Sequence, residues 1–124
     1  MDIQTEAKIM RIFISSTDKF KHKPLYQIIV YLAKRYGLAG ATVFRGTMGY
    51  GPSSKYIYQP TFWEVVDKTP MVIEIVDDSE KIEAFFNILK PYLDLIRTGC
   101  LITCEHAEVL FYKKGEKKKS FFDL

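Results

Sequence analysis

Cysteine is scarce in this chain of 124 residues. The two thiols, Cys100 and Cys104, are four residues apart, which is about 13 Å along a strand. A disulfide needs its Cα atoms within about 7 Å, and two thiols beside His106 are too few ligands for a structural zinc site. The sequence therefore predicts two reduced cysteines and gives no support for a disulfide scaffold or a zinc domain.

A long apolar run is also missing, although 48% of the residues are hydrophobic. No stretch approaches the roughly 18 apolar residues that a membrane-spanning helix needs. The first six residues, Met-Asp-Ile-Gln-Thr-Glu, have neither the basic nor the apolar part of a secretory signal. We expect one globular domain at residues 1–112, a basic tail at 113–124, and a cytoplasmic location.

The body of the chain lacks an excess of either charge. Residues 1–112 contain 13 basic and 13 acidic side chains, so the net charge of +3 comes from the tail. Binding to nucleic acid requires a basic face on the folded body, and we expect no nucleic-acid partner. A lysine-rich tail is typical either of a solvated chain end or of a mobile arm near an anionic ligand.

The apolar pattern predicts strands and helices in alternation. Strands are expected at 7–14, 41–44, 61–66, 71–76 and within 101–112; helices are expected at 24–36 and from 79 to Gly99, with residues 19–23 as a polar loop. Pro24 suits a first helical turn, Gly37 suits a helix end, and Pro91 should kink or split the second helix near Asn87. The acidic pair Asp77 and Asp78 is expected to cap that helix.

This order is typical of an α+β fold of the ferredoxin-like, βαββαβ type. In such a fold, the helices cover one face of the sheet. The first strand carries Met10, Ile12 and Ile14 on one face, and on the other Arg11 lies between Ile9 and Phe13. Apolar residues on both faces predict that a second copy of the chain covers the uncovered face, which makes the protein a homo-oligomer.

A glycine-rich loop follows the second strand, within residues 40–59. Gly46, Gly49 and Gly51 can take positive φ, and such turns can point backbone N–H groups at one anion. Arg45 offers a planar fork of donors, and Ser54 and Lys55 add a hydroxyl group and a cation. The loop is neither a P-loop nor a dinucleotide fingerprint, because no helix follows its glycines. An ordinary surface loop is the alternative.

Recognisable catalytic groups are few. His22 lies in a polar segment and His106 lies beside Glu105, and neither has a partner at a useful spacing. Glu74 is a charge within an apolar strand and needs a partner or an oligomer interface. We therefore expect a protein that is not an enzyme. An RNA-binding module shares this topology, but its basic-glycine-aromatic strand motif is missing.

Several motifs together resemble one family. They are Met-Arg-Ile-Phe-Ile at 10–14, Lys-Pro-Leu-Tyr at 23–26, Gly-Leu-Ala-Gly-Ala-Thr-Val-Phe-Arg-Gly at 37–46, Gly-Tyr-Gly at 49–51, Pro-Ser-Ser at 52–54 and Pro-Met-Val-Ile-Glu-Ile-Val-Asp at 70–77. The chain resembles, over roughly residues 8–112, the PII-like (GlnB-like) family of small bacterial and archaeal proteins, domain of unknown function 190 (UPF0166).

The resemblance implies a homotrimer that binds an adenine nucleotide (ATP, ADP or AMP, with Mg²⁺ use open) in clefts between subunits. It also implies signalling through the 46–60 loop to a membrane transporter or an enzyme. Thr42 would lie at the adenine, and the phosphates would meet Gly49 and Gly51, with Arg45 or Lys55 as counter-charge. Only Arg-Thr-Gly at 97–99 matches the family's second phosphate loop. Two alternatives are a small-molecule enzyme that uses Glu74 or His106, and a metal-binding trimer.

Overall fold

The computed structural model describes residues 1, 6–52, 57 and 68–116. Its elements, in chain order, are β1 (Ala7–Ser15), β2 (Lys19–Phe20), β3 (Lys23–Pro24), α1 (Leu25–Arg35), β4 (Thr42–Arg45), β5 (Pro70–Asp78), α2 (Ser79–Leu95) and β6 (Leu101–Ala107). The strand predicted at 61–66 lies outside the described residues.

Four strands form one antiparallel sheet in the order β4-β5-β1-β6. The long central strands β1 and β5 pair along their whole length, from Ala7 opposite Asp78 to Ser15 opposite Pro70. Both helices pack on the same face of this sheet. An antiparallel sheet with two helices confirms the predicted α+β architecture.

The core lies between the sheet and the helices because alternate residues of β1 and β5 point to that side. Opposing pairs on this face, such as Ile12 with Ile73, are completely buried. Ile29 of α1 and Phe85 of α2 lie in the same cluster. The predicted apolar face of β1 is therefore confirmed as the core face.

The opposite face of the sheet remains accessible. Phe44 at the β4 edge and Leu101 at the β6 edge are 51% and 48% exposed. Between them Phe13 and Val72 are only partly buried. The expectation that a second copy covers this face remains a prediction.

Helix α1 begins and ends through backbone hydrogen bonds. Pro24 is its N-cap rather than a residue of the first turn, and the carbonyl of Asp18 accepts the first helical N–H, that of Leu25, at 2.8 Å. At the other end Gly37 has φ +77°. Its N–H bonds to Lys34 at 3.2 Å, and the Leu38 N–H bonds to Ala33 at 3.0 Å. These two bonds form a Schellman motif, which confirms the predicted helix end.

The segment predicted as a polar loop at 19–23 forms a small hairpin instead. Strands β2 and β3 pair antiparallel, with Lys19 opposite Pro24. The two turn residues, Lys21 and His22, have φ of +47° and +69°. Positive φ at both central positions matches the twist of a two-residue hairpin. Sequence reasoning missed it because this turn normally carries glycine or asparagine.

Helix α2 differs from the prediction at both ends. It is continuous from Ser79 to Leu95 with Pro91 inside it, so the proline does not split it, and Ile96 rather than Gly99 follows its last residue. Asp78 is the N-cap but makes no side-chain capping bond. Of the helices in the described segments, neither is long and apolar enough to cross a membrane.

Asp77 does not cap the second helix as predicted. Its side chain is fully buried at the end of β5. Its carboxylate accepts the backbone N–H of Ala39 at 2.8 Å and that of Asp78 at 2.7 Å. Asp77 therefore fastens the connection between α1 and β4 to the end of the central strand.

Candidate functional site

One end of the sheet gathers four connections of the chain. Strands β1 and β4 end there, and β5 and β6 begin there, because each neighbouring pair is antiparallel. The glycine loop that follows β4 therefore lies at the same end as residues 97–99, which precede β6. The candidate site is built at this end.

A network of hydrogen bonds holds the base of the glycine loop. Ser16 and Thr69 exchange two bonds of 2.8 Å, one to the Thr69 carbonyl and one to the Ser16 hydroxyl group. Arg45 donates from Nη1 to the hydroxyl group of Thr69 at 2.9 Å. The Gly46 N–H bonds to the carbonyl of Pro70 at 2.7 Å. The chain thus enters the loop from a fixed point, whereas the loop residues beyond it are largely exposed.

Two of the predicted glycines are needed there for different reasons. A Cβ atom at Gly46 would lie 2.8 Å from Cγ of Pro70, so this position requires glycine for close approach. Gly49 has φ +156°, which side chains rarely adopt. Gly46 does not use the positive φ that glycine can take, and only its lack of a side chain matters here. Gly51 is exposed in the same loop.

The remaining predicted residues are dispersed. Thr42 pairs with Glu74 and points to the uncovered face of the sheet, whereas Arg45, three residues later, points to the helix side. Ser54 and Lys55 lie outside the described residues. The structure thus brings together Arg45, Gly46 and Gly49, and it separates Thr42 from them.

Sequence reasoning missed Ser16, Thr69 and Pro70 at the loop base. Ser16 stands in a polar Ser-Ser-Thr-Asp run that reads only as a turn. Thr69 is 53 residues away from it in sequence. Antiparallel pairing of β1 with β5 brings them together, and no local pattern signals that pairing.

A second group of polar residues lies at the same sheet end, near the opposite edge. A hollow of about 540 Å³ is bordered by three cations, Lys19, Lys21 and Arg97, and by the hydroxyl groups of Thr17 and Thr98. No carboxylate borders this hollow among the residues that the structure describes. It therefore has the composition of an anion site, and it includes part of the segment that resembles the family's second phosphate loop.

The two groups are built from different connections at this sheet end. The loop base joins the end of β4 to the start of β5, whereas the hollow is bordered by residues that follow β1 and by residues that precede β6. Ser16 of the loop base is followed directly by Thr17 of the hollow, so the two groups adjoin at the end of β1.

The uncovered face carries a charged cluster, and Glu74 finds its partner there. Arg11 donates from Nε to Glu74 at 3.0 Å and from Nη1 to Glu105. Hydrogen bonds to Glu105 and then to Glu74 raise the pKa of Arg11 above its already high value, so it is a cation at any physiological pH. The charge on Glu74 is thereby matched within the sheet, with no need for a catalytic role.

His106 lies at the other end of the sheet from both groups, opposite Lys8, whereas His22 directly follows Lys21 of the hollow. His106 contacts Glu6 through Nδ1, and both side chains are exposed. His22 is exposed at the hairpin turn. Within the described part of the chain, no three His, Cys, Asp or Glu side chains come together as metal ligands do.

Comparisons with known proteins identify the family. The model of DUF190, described as "Uncharacterized ACR, COG1993", matches residues 7–109. The chain belongs to this family. A UPF0166 protein of Aquifex aeolicus is 38% identical over 104 residues, which cover 84% of this chain and 93% of that protein. A UPF0166 protein of Methanocaldococcus jannaschii is 32% identical over 111 residues, with 90% and 95% covered.

A solved structure confirms the fold. CPII, a nitrogen regulatory PII-like protein from Thiomonas intermedia K12, superimposes with a TM-score of 0.56 at 15% identity. The match covers 84% of this chain and 90% of CPII, whose structure was solved bound to ADP, AMP and bicarbonate. The chain therefore has the fold of PII-like proteins, as the sequence motifs predicted.

Proposed function

We propose that this protein is a PII-like regulatory protein that binds an adenine nucleotide in clefts between the subunits of a homotrimer. It acts in the cytoplasm and is not an enzyme. The observation that carries the proposal is that potential anion-binding groups lie along one sheet end as far as both of its edges. Arg45 and the glycine loop lie at the β4 edge, and Arg97 precedes β6 at the other edge, in the hollow that it shares with Lys19 of the hairpin.

Rotation about an axis can join these halves. If copies of the chain surround an axis with their uncovered faces inward, the β4 edge of each subunit meets the β6 edge of the next. The loop base of one subunit then faces the cation-lined hollow of its neighbour. The same arrangement buries Phe44 and Leu101, which are half exposed in the single chain. Their burial favours assembly, because apolar area is removed from water.

The proposed ligand follows from the chemistry of both halves. Backbone N–H groups beside glycine and the forks of two arginines suit phosphate oxygens. The ADP and AMP bound by CPII support an adenine nucleotide as the ligand of this fold. We propose ATP, ADP or AMP, with the 46–60 segment carrying the signal to a transporter or an enzyme. Such signalling requires a nucleotide that binds one state of that segment better than another.

Calorimetric titration of the purified protein tests binding, and light scattering tests the trimer. ATP, ADP and AMP are titrated with and without Mg²⁺, and at least one should saturate near one nucleotide per subunit. Replacing Arg45 by Ala should weaken binding about tenfold or more, since a charged hydrogen bond contributes about 1.5–3 kcal/mol. Lys90→Ala, on the exposed side of α2, is the matched control and should bind normally.

Mixing two variants tests whether the site is shared between subunits. Arg45→Ala and Arg97→Ala should each bind poorly alone. In mixed trimers some clefts combine an intact Arg45 from one subunit with an intact Arg97 from the next. Part of the binding should then return. If both variants remain trimeric and mixing restores nothing, the shared cleft is refuted.

A further inference from the structure

A groove lies on the helix side of the sheet, away from the glycine loop. It has a volume of about 360 Å³ and runs between α1, the β2–β3 hairpin and one residue of α2. The residues that border it are Phe20, Lys21, Lys23, Gln27, Ile28, Tyr31, Leu32, Arg35 and Tyr92. The α1 residues among them recur at helical spacing, so they form one stripe along that helix.

The groove is basic although the body of the chain is neutral. Lys21, Lys23 and Arg35 border it, and in the described parts of the chain it has no carboxylate. Among the described residues neither Lys21 nor Arg35 has an acidic partner, and each lies over an aromatic ring, that of Phe20 or Tyr36. These cations are therefore available to an external anion, whereas Arg11, Lys8 and Lys90 already have acidic partners.

Its cations stand at the two ends of an apolar floor. Lys21 and Lys23 belong to the hairpin, beside the first turn of α1, and Arg35 is the last residue of that helix. The stripe from Gln27 to Arg35 spans nine residues, and the eight steps between its ends rise about 12 Å along a helix. Between the ends, the floor consists of Ile28, Leu32 and Tyr92, with Tyr92 held edge-to-face against Phe20 at 5.2 Å.

The distance between the cations at the two ends of the groove indicates which kind of ligand fits it. A single phosphate or carboxylate can reach only one end of the groove. An extended peptide covers about 12 Å in three to four residues, so carboxylates four positions apart would meet both ends while apolar residues between them cover the floor. Tyr31 is 70% exposed at the rim, and tyrosine and arginine are the residues that most often dominate protein interfaces. Nucleic acid would require cations along the groove rather than an aliphatic floor.

We propose that this groove, bordered by α1 and the β2–β3 hairpin, binds an acidic segment of a partner protein. The segment has two carboxylates about four residues apart and an apolar residue between them. The hairpin positions Lys21 and Lys23, because its two non-glycine residues with positive φ fix the turn. The groove shares Phe20 and Lys21 with the hollow at the sheet end, whereas Lys23 and Arg35 border the groove alone, so the proposal is tested at those two residues.

Fluorescence anisotropy with defined peptides tests the groove on the full chain. The probe is a fluorescein-labelled octapeptide with glutamates four positions apart and leucine between them. One comparison peptide has glutamines in place of the glutamates, and another has the glutamates adjacent. We expect both comparison peptides to bind about tenfold more weakly or worse, because each loses at least one contact with an end of the groove.

Charge-reversal variants test which cations of the groove bind the probe peptide. Lys23→Glu combined with Arg35→Glu should weaken probe binding at least about tenfold. Lys113→Glu combined with Lys114→Glu changes the net charge equally outside the groove and should alter binding less than about twofold. Tyr31→Ala, at an exposed position, gives a second variant that should weaken binding while circular dichroism shows a folded protein.

Three outcomes would overturn the proposal. The first is no binding of the acidic probe by the wild-type protein. The second is equal weakening by the groove variant and the tail variant, which would indicate attraction by net charge alone. The third is tighter binding of a single-stranded oligonucleotide of equal charge, lost on Lys23→Glu and Arg35→Glu, which would assign the groove to nucleic acid.

Discussion

Replacing Gly46 by alanine is the sharpest test of the loop base. The new Cβ would lie 2.8 Å from Cγ of Pro70 and 3.3 Å from the carbonyl oxygen of the same residue. That carbonyl accepts the Gly46 N–H at 2.7 Å. The proline ring cannot rotate away as a flexible side chain would, because it is closed on its own backbone. The start of β5 or the end of β4 must therefore move.

Two opposing terms set the magnitude. Overpacking of this kind costs about 1–3 kcal/mol. Alanine also restricts the unfolded chain, which stabilises the fold by about 0.4–1 kcal/mol. The midpoints of the two ranges leave a net loss of about 1.3 kcal/mol, which lowers Tm by about 4–8 °C for a domain of this size.

Gly40→Ala is the matched control. A Cβ atom at Gly40 meets no atom within 4 Å, so only the effect on the unfolded chain applies, and Tm should stay the same or rise by a few degrees. Both variants are melted at one protein concentration, since assembly would make Tm depend on concentration. If Gly46→Ala melts at or above the temperature of Gly40→Ala, the packing of Gly46 against Pro70 is refuted.

Two further predictions concern the buried Asp77 and the half-buried Cys100. Asp77→Ala should lower the free energy of unfolding, measured in urea, by about 2–4 kcal/mol. The substitution removes a charged acceptor from the backbone N–H groups of Ala39 and Asp78. A change below about 0.5 kcal/mol would contradict the role of Asp77 in fastening the connection between α1 and β4. Burial, reinforced by the negative charge of Asp18, raises the pKa of Cys100 to about 11, so at pH 8 only about 0.1% of it is the reactive thiolate. A disulfide reagent should therefore modify the exposed Cys104 first. In the Cys104→Ser variant, Cys100 should react slowly at pH 8, and its rate of modification should rise about tenfold per pH unit up to about pH 11. Fast modification of that variant at pH 8 would show that Cys100 is not shielded.

The uncovered sheet face carries a charged cluster that affects how a second copy of the chain can pack on it. It combines half-exposed apolar residues at its edges with the Arg11 cluster in its middle. Two carboxylates share that one arginine, so a copy of the chain that packs there must accommodate an acidic surplus. We therefore expect assembly to leave water or a cation near Glu105, which is largely exposed in the single chain.

Much of the fold could be predicted because its signals are local. The helical spacing of apolar residues indicated α1, and Gly37 marked its end through a conformation that glycine adopts easily. Alternation along β1 identified which residues face the core. Local signals failed where the surrounding structure overrides the preference of single residues. Pro91 lies inside a continuous helix, and Lys21 and His22 form a hairpin turn without glycine.

The candidate site could be predicted only in part, for the same reason. Arg45 and the loop glycines are adjacent in sequence, and their composition by itself indicates an anion site. The sequence also determined the family, the order of the two helices and of the four strands of the main sheet, and the two-sided apolar character of that sheet. Only the tertiary structure decided that Thr69 and Pro70 hold the loop base, that Thr42 faces away from it, and that a basic groove runs beside α1. Each of these depends on strand register or on helix packing, which join residues far apart in the chain, and no local sequence pattern records them.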